Sequence, residues 1–484
     1  MQSHPPNSVN DALRLSSDNV IAFSRRARRT LPTESTRDST HQTATLIQLW
    51  QKAGERDGLD GVPPQVLDTL ERLEQEGRPG ALCVLRLNEY RLLEETFGQR
   101  IGLVLMQRVG DRLRHHLRGD DLLAQIAEDE FVILLDGQQE NTMLSQIAER
   151  LLRDCTGNYT MEGLRMHVNG NLGIARFPLD ATEPALLMRF ARIALHETTA
   201  GSPMPYHFFS SRLLQQLQER VWLATELEQA LAAERFELHY QPLFDIATQR
   251  ILGAEALLRL RTEEGELIFP DRFIPLAEEL GLIVPIGRWV VTEACQQLKQ
   301  WQQQGHDPLR IAVNVSPVQL ADENFVAQVI EAVEDAGIAY SDLELEITEG
   351  RIVEYLPLVE QAFQTLSAKG MRIDIDDFGT GYSALAYLTR LHWRTVKIDR
   401  AFLAEVPRDA NATQVVSAII AMAGELGLQV TAEGVETEAQ YRFLVEAGCH
   451  MGQGFGYARP QPAADFSRLL QLREGTGWHC DKLD

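Results

Sequence analysis

The chain has 484 residues, enough for about two to four domains at roughly 100–200 residues each. Its 46 basic and 69 acidic residues give a formal charge of −23, which argues against a protein that coats nucleic acid, because that task needs a basic domain. Hydrophobic residues make up 44% and aromatic ones 7%, as in ordinary globular proteins, so an anionic substrate would need a local source of positive charge.

Met1 to Asn19 is polar and carries no apolar signal core. No run of 18 apolar residues occurs, so no membrane insertion is expected. Cysteines stand singly at Cys83, Cys155, Cys295, Cys449 and Cys480. None forms a C-x-x-C pair, which leaves no zinc ribbon or redox dithiol and fits a reducing cytoplasm. Residues 1–42 read as a disordered tail, with Arg25, Arg26, Arg28 and Arg29 as a solvated arm among Ser, Thr and Pro. Residues 43–79 read as a helical segment. It has a short helix over 43–56 and a second one opened by Pro63-Pro64, closing before Gly77-Arg78-Pro79-Gly80.

From 80 to 209 strands and helices mix, the pattern of an α+β domain. Ala81–Leu87 reads as a strand, and residues 92–117 as one long helix through Leu105, Val109 and Leu113. Leu122–Ile126 and Phe131–Leu135 read as a hairpin around Ala127-Glu128-Asp129-Glu130. A helix over 141–154, a strand near 166–176, a helix over 183–198 and a strand near 205–209 complete the domain. Residues 210–234 read as a connecting helix.

From 235 to 474 the rhythm changes, and 475–484 read as a tail. Eight strand-like runs begin at Phe236, Ile251, Arg310, Leu343, Arg372, Thr395, Gln429 and Met451. A helical segment follows each run after the first, which predicts a TIM-type (β/α)8 barrel. Ala247-Thr248-Gln249-Arg250 is too short for a crossover helix, so the first strand is expected to run antiparallel.

Polar residues recur at the ends of these runs: Glu255, Asn314, Glu346, Asp376, Asp377, Lys397, Asp399, Glu433 and Gln453. A carboxylate in a strand core is costly unless it is paired or metal-bound. C-terminal strand ends of such a barrel converge on one mouth, so these residues would form one oxygen-rich pocket. Oxygen donors and one amide favour Mg2+ or Mn2+ over zinc. Two such ions would bind a phosphate and ionise the attacking water, with Asp376 between them. Lys397 is expected to steady that water and the developing charge. Glu349 is expected to fix the loop Phe378-Gly379-Thr380-Gly381-Tyr382.

These residues carry a resemblance. Glu255-Ala256-Leu257-Leu258-Arg259, Asn314-Val315-Ser316, Glu344 to Glu349, Asp376 to Ser383, Lys397-Ile398-Asp399-Arg400, Ala432 to Thr437 and Gln453-Gly454-Phe455 resemble the EAL domain, a cyclic-di-GMP phosphodiesterase. The resemblance implies metal-dependent opening of cyclic-di-GMP to linear pGpG, and dimerisation through this domain. It carries metal ligation to Glu255, Asn314, Glu346, Asp376 and Asp377. It gives catalytic or supporting roles to Lys397, Glu433, Glu349, Asp399 and Gln453, and substrate contacts to Gln241, Leu258, Arg259 and Asp377. Leu260 stands where the family has tryptophan.

Residues 80–209 resemble a GGDEF domain, whose active form is a diguanylate cyclase. The signature here reads Ala127-Glu128-Asp129-Glu130-Phe131, without glycines that would let a phosphate approach. The family's first metal aspartate falls at Arg86, and its guanine contacts at Glu94 and Leu103. The domain is therefore read as degenerate and non-cyclising. Arg118 and Asp121 match the family's R-x-x-D inhibitory site. The leading reading is a cytoplasmic phosphodiesterase regulated or scaffolded by the degenerate domain. A cyclic-di-GMP receptor without turnover, acting through a protein partner, and a barrel activated by GTP at the first domain are the alternatives.

Overall fold

A computed structural model describes residues 63–473 except 89, 162, 200–203, 307–308, 350–355, 380–390 and 392. The expected tails and the helix over 43–56 lie outside the described residues. The chain divides into two compact units between Trp222 and Leu223.

The first unit is built on a five-stranded sheet. Its spatial order is Leu122–Gln125, Glu130–Asp136, Gly80–Leu87, Gly170–Phe177, Tyr206–Phe208. Strand alternation sends Cys83 and Leu85 into one core with Leu105, Val109 and Leu151. Leu82 and Val84 enter a second core with Leu187, Ala191 and Leu195. This is the expected α+β class, with three local differences. The long helix is two helices, Tyr90–Phe97 and Gln99–His116, broken at Gly98, whose φ of 89° suits glycine. The expected strand near 166–176 is two, Leu164–Val168 and Gly170–Phe177, and the first pairs with Gly157–Met161 in a separate hairpin. The helix Pro64–Glu76 buries Val66, Leu70 and Leu73 in the second core, so the compact unit includes it.

The second unit is a closed eight-stranded barrel. Its strands are β1 (Phe236–Asp245), β2 (Ile251–Arg261), β3 (Arg310–Asn314), β4 (Leu343–Thr348), β5 (Arg372–Phe378), β6 (Thr395–Ile398), β7 (Gln429–Ala432) and β8 (Met451–Gly452). Strands β2 to β8 pair in parallel order. Strand β1 closes the ring antiparallel to both β2 and β8, as the short link requires. Outward residues such as Val313, Leu345, Ile375, Val396 and Val430 are fully buried under the surrounding helices. Many of the inward residues between them are polar, among them Asn314, Glu344, Glu346, Asp374, Asp376 and Lys397, and this alternation is why the strands read as apolar runs punctuated by charge. Deeper in the interior, Glu344 is neutralised by Arg310 at 2.8 Å and Arg372 at 3.3 Å.

Candidate active site

The inward residues of β2, β4, β5 and β6 meet around one ammonium. Lys397 Nζ lies 2.7 Å from Glu433, 2.8 Å from Glu346, 3.2 Å from Asp376 and 3.6 Å from Glu255. Lys397 is 2% exposed. Burial alone would lower its pKa, but the surrounding carboxylates, Asp376 foremost, hold it well above the usual lysine range. One ammonium cannot neutralise four carboxylates. Burial, only partly opposed by Lys397, drives Glu346 well above the carboxylate range. Burial likewise pushes Glu433 up to about 8, and burial with the Asp376 charge pushes Asp377 up to about 6.

Adjacent strand residues normally face opposite ways, yet Asp376 and Asp377 both reach this mouth. The register with β6 shifts between Ile375 and Phe378, and Asp377 takes a φ of 53°. That left-handed backbone costs a non-glycine residue on the order of 1 kcal/mol. Asp376, Asp377 and Glu433 each present an oxygen, all within 4.8 Å of one another. Asp376 Oδ1 is buried with only the Lys397 ammonium, at 3.2 Å, beside it. Crowded hard oxygens and negative charge in excess of that one ammonium together fit a divalent cation.

Other expected residues brace this centre. Glu255 accepts from Asn314 Nδ2 at 2.7 Å and from Gln453 Nε2 at 2.7 Å. Gln453 Nε2 also donates to Gln241 Oε1 at 2.9 Å, and Gln241 Nε2 donates to the Ala458 carbonyl at 3.2 Å. Glu349 follows the end of β4 and accepts the Gly379 N–H at 2.9 Å, tying down the residue after the aspartate pair. The rest of that expected loop, 380–383, lies outside the described residues. Asp399 caps the Ala401 N–H at 2.9 Å, and its proximity adds to the rise of the Asp377 pKa.

One expected contact needs correction. Leu258 is in register with Leu238 and packs in the core between barrel and helices. By strand alternation it faces away from Glu255 and Arg259, so its side chain does not line the mouth. Leu257, two residues from Glu255, shares the site's face. The strand period contained that signal.

The first unit's expected residues are also occupied. Arg86 Nε and Nη2 donate to Glu130 Oε1 at 2.9 and 2.5 Å, and Arg192 Nη2 reaches Glu130 Oε2 at 3.2 Å. Two guanidinium groups thus share the signature glutamate; Arg192 carried no sequence signal. Asp121 accepts the Arg118 N–H at 2.8 Å and the Asp136 N–H at 3.0 Å, so its carboxylate shapes the local turn.

The fold and site define a class: an α+β domain followed by a barrel with an antiparallel first strand and a cation-accepting mouth. Residues 224–460 match the EAL domain family, and residues 64–202 match the diguanylate cyclase, GGDEF domain. The chain belongs to the family of proteins that join a GGDEF domain to an EAL domain. It is 37% identical over 424 residues to the bifunctional diguanylate cyclase/cyclic di-GMP phosphodiesterase MucR of Pseudomonas aeruginosa, covering 86% of this chain and 61% of that protein. It is 36% identical over 402 residues to the cyclic di-GMP phosphodiesterase NbdA of Pseudomonas aeruginosa, covering 83% of this chain and 51% of that protein. The chain therefore spans only about half to three-fifths of these curated relatives. The solved EAL enzyme Bd1971, in its cAMP and cyclic-di-GMP bound form, is 26% identical with a TM-score of 0.51 over 71% of this chain and 82% of that one. Among the described residues no helix is long and apolar enough to cross a membrane.

Proposed function

We propose that the barrel hydrolyses cyclic-di-GMP to linear pGpG in the presence of Mg2+ or Mn2+. The observation that carries this reading is the buried Lys397 ammonium among Glu346, Glu433, Asp376 and Glu255, beside the oxygen cluster of Asp376, Asp377 and Glu433. The named activities of MucR and NbdA support it. Glu255, Asn314, Glu346, Asp376 and Asp377 would hold two ions. When bound, such ions polarise the phosphate and lower the pKa of water.

The chain's own groups do the rest. Water oxygen bonds to phosphorus as the bond to the 3′ oxygen breaks, leaving a 3′ hydroxyl and a 5′ phosphate. Glu433 takes a proton from the attacking water, and the leaving oxygen gains one. Lys397 donates hydrogen bonds toward the charge that grows in the transition state. Asn314 and Gln453 orient Glu255, and Glu349 anchors Gly379 behind the aspartates. Asp399 steadies Asp377, while Gln241 and Arg259 hold substrate. The reading includes a cytoplasmic homodimer joined through the barrel. The receptor alternative would leave this complete set of groups unused. Chromatography of cyclic-di-GMP after incubation with either metal tests the reading, and linear pGpG is the expected product.

Cation binding should depend on pH in a defined direction. Asp377, near 6, and Glu433, near 8, hold protons that a cation must displace. Their folded pKa values lie above unfolded ones, so without metal the protein binds extra protons when folded. That contribution to stability is lost as pH rises from about 4 through those two values. The rise in Tm on adding Mg2+ in place of EDTA should therefore grow from pH 5.5 to pH 8.5. A pH-independent shift would contradict the assignment.

For the first unit we propose a degenerate, non-cyclising domain with a regulatory or scaffolding task. The Arg86–Glu130–Arg192 ion pairs support this, because a fixed guanidinium occupies the carboxylate that a metal would need. In a protein whose barrel is silenced by Glu255→Ala, GTP should yield no cyclic-di-GMP at any Mg2+ or Mn2+ concentration. Product accumulating in that variant would show a working cyclase.

A further inference from the structure

Phe269 stands out at the mouth of the barrel. Leu267 and Ile268 pair antiparallel with Arg261 and Leu260, so the next residue, Phe269, runs beside Arg259. Arg259 shares a strand face with Glu255, on the C-terminal half of β2. Its guanidinium lies 5.0 Å from the Phe269 ring centroid, inside the roughly 6 Å range of a cation–π contact. Arg259 Nη1 also donates to the Leu258 carbonyl at 2.8 Å, which fixes its orientation. Exposure of the two partners is opposite: Arg259 is 5% exposed and Phe269 53%.

A large ring left half open at a polar mouth, with a buried guanidinium against it, is a stacking surface. We infer that Phe269 is a specificity-determining residue on which one purine of the substrate stacks, forming a base–phenyl–guanidinium sandwich. This rests on the proposal that the barrel takes cyclic-di-GMP. The stack discriminates purine from smaller bases because dispersion and quadrupole contact scale with overlapping ring area. It also differs from a purely apolar cover over Arg259, which leucine would provide equally well.

The test compares wild type, Phe269→Leu and Phe269→Trp in the full chain. Binding of cyclic-di-GMP is measured by calorimetry with Ca2+, and hydrolysis with Mn2+. Phe269→Leu should raise Kd and KM about tenfold, the size of one lost base stack, while kcat moves less than about threefold. Phe269→Trp should restore Kd and KM to near the wild-type values, because its π face is larger. If Leu binds as well as Phe in an active protein, the stack is wrong while the phosphodiesterase reading stands. If kcat falls and KM does not, Phe269 acts on the chemistry and the inference is again overturned. If wild type neither binds nor hydrolyses cyclic-di-GMP, the underlying reading fails and this inference falls with it.

Discussion

Lys397→Met should lower kcat by about 100-fold or more, the scale seen when one preorganised donor is removed from a transition state. The methionine keeps the apolar stem and approximate volume but removes the ammonium that lies within 3.6 Å of four carboxylates. Charge that grows during phosphate transfer would then lack its fixed hydrogen-bond donor. Substrate affinity should change less than tenfold, because ground-state binding rests on Gln241, Arg259 and bound cations. Without metal the variant should also be less stable, since breaking a buried ion pair commonly costs about 3–5 kcal/mol. Single-turnover kinetics beside calorimetric binding in Ca2+ separates these effects. Lost binding with an intact chemical step would make Lys397 a substrate clamp or a structural counter-ion, and its assigned role would have to be dropped.

Glu255→Ala should abolish hydrolysis, by at least about 1,000-fold. Glu255 is the carboxylate on which Asn314, Gln453 and Lys397 converge. Its removal deprives the two amides of their acceptor and takes a proposed ligand from the mouth, so water there would not ionise near neutral pH. The fold should survive, because one of four mutually repelling carboxylates is gone. In EDTA the variant's Tm should match or exceed that of wild type, and its Mg2+-dependent stabilisation should shrink. A variant folded by circular dichroism that turned over at the wild-type rate would remove Glu255 from the mechanism.

Much of the barrel was legible because its strands carry two signals at once. Apolar outward residues give each run its hydrophobicity, and inward polar residues break it at the mouth. Asn314, Glu346, Asp376 and Lys397 could be placed together on that period alone. Asp377 was expected at the mouth beside Asp376, but the register shift and positive φ that bring it there leave no mark in hydrophobic periodicity. Two further things were not legible for physical reasons. Phe269 gains its place from a two-residue strand pairing after a turn, too short to read as a run. Arg192 reaches Glu130 from a helix 62 positions along the chain, and helix periodicity cannot report a long-range ion pair. The misplacement of Leu258 was avoidable, since two-residue alternation from Glu255 points to Leu257.

The most direct test of the central claim is one incubation of the full chain with cyclic-di-GMP and Mn2+, quenched over time and separated by chromatography, with an EDTA control. The account predicts linear pGpG appearing as cyclic-di-GMP disappears, blocked by EDTA and by Glu255→Ala. Cyclic-di-GMP that binds the protein and is recovered intact with Mn2+ and with Mg2+ would contradict it and identify a receptor instead.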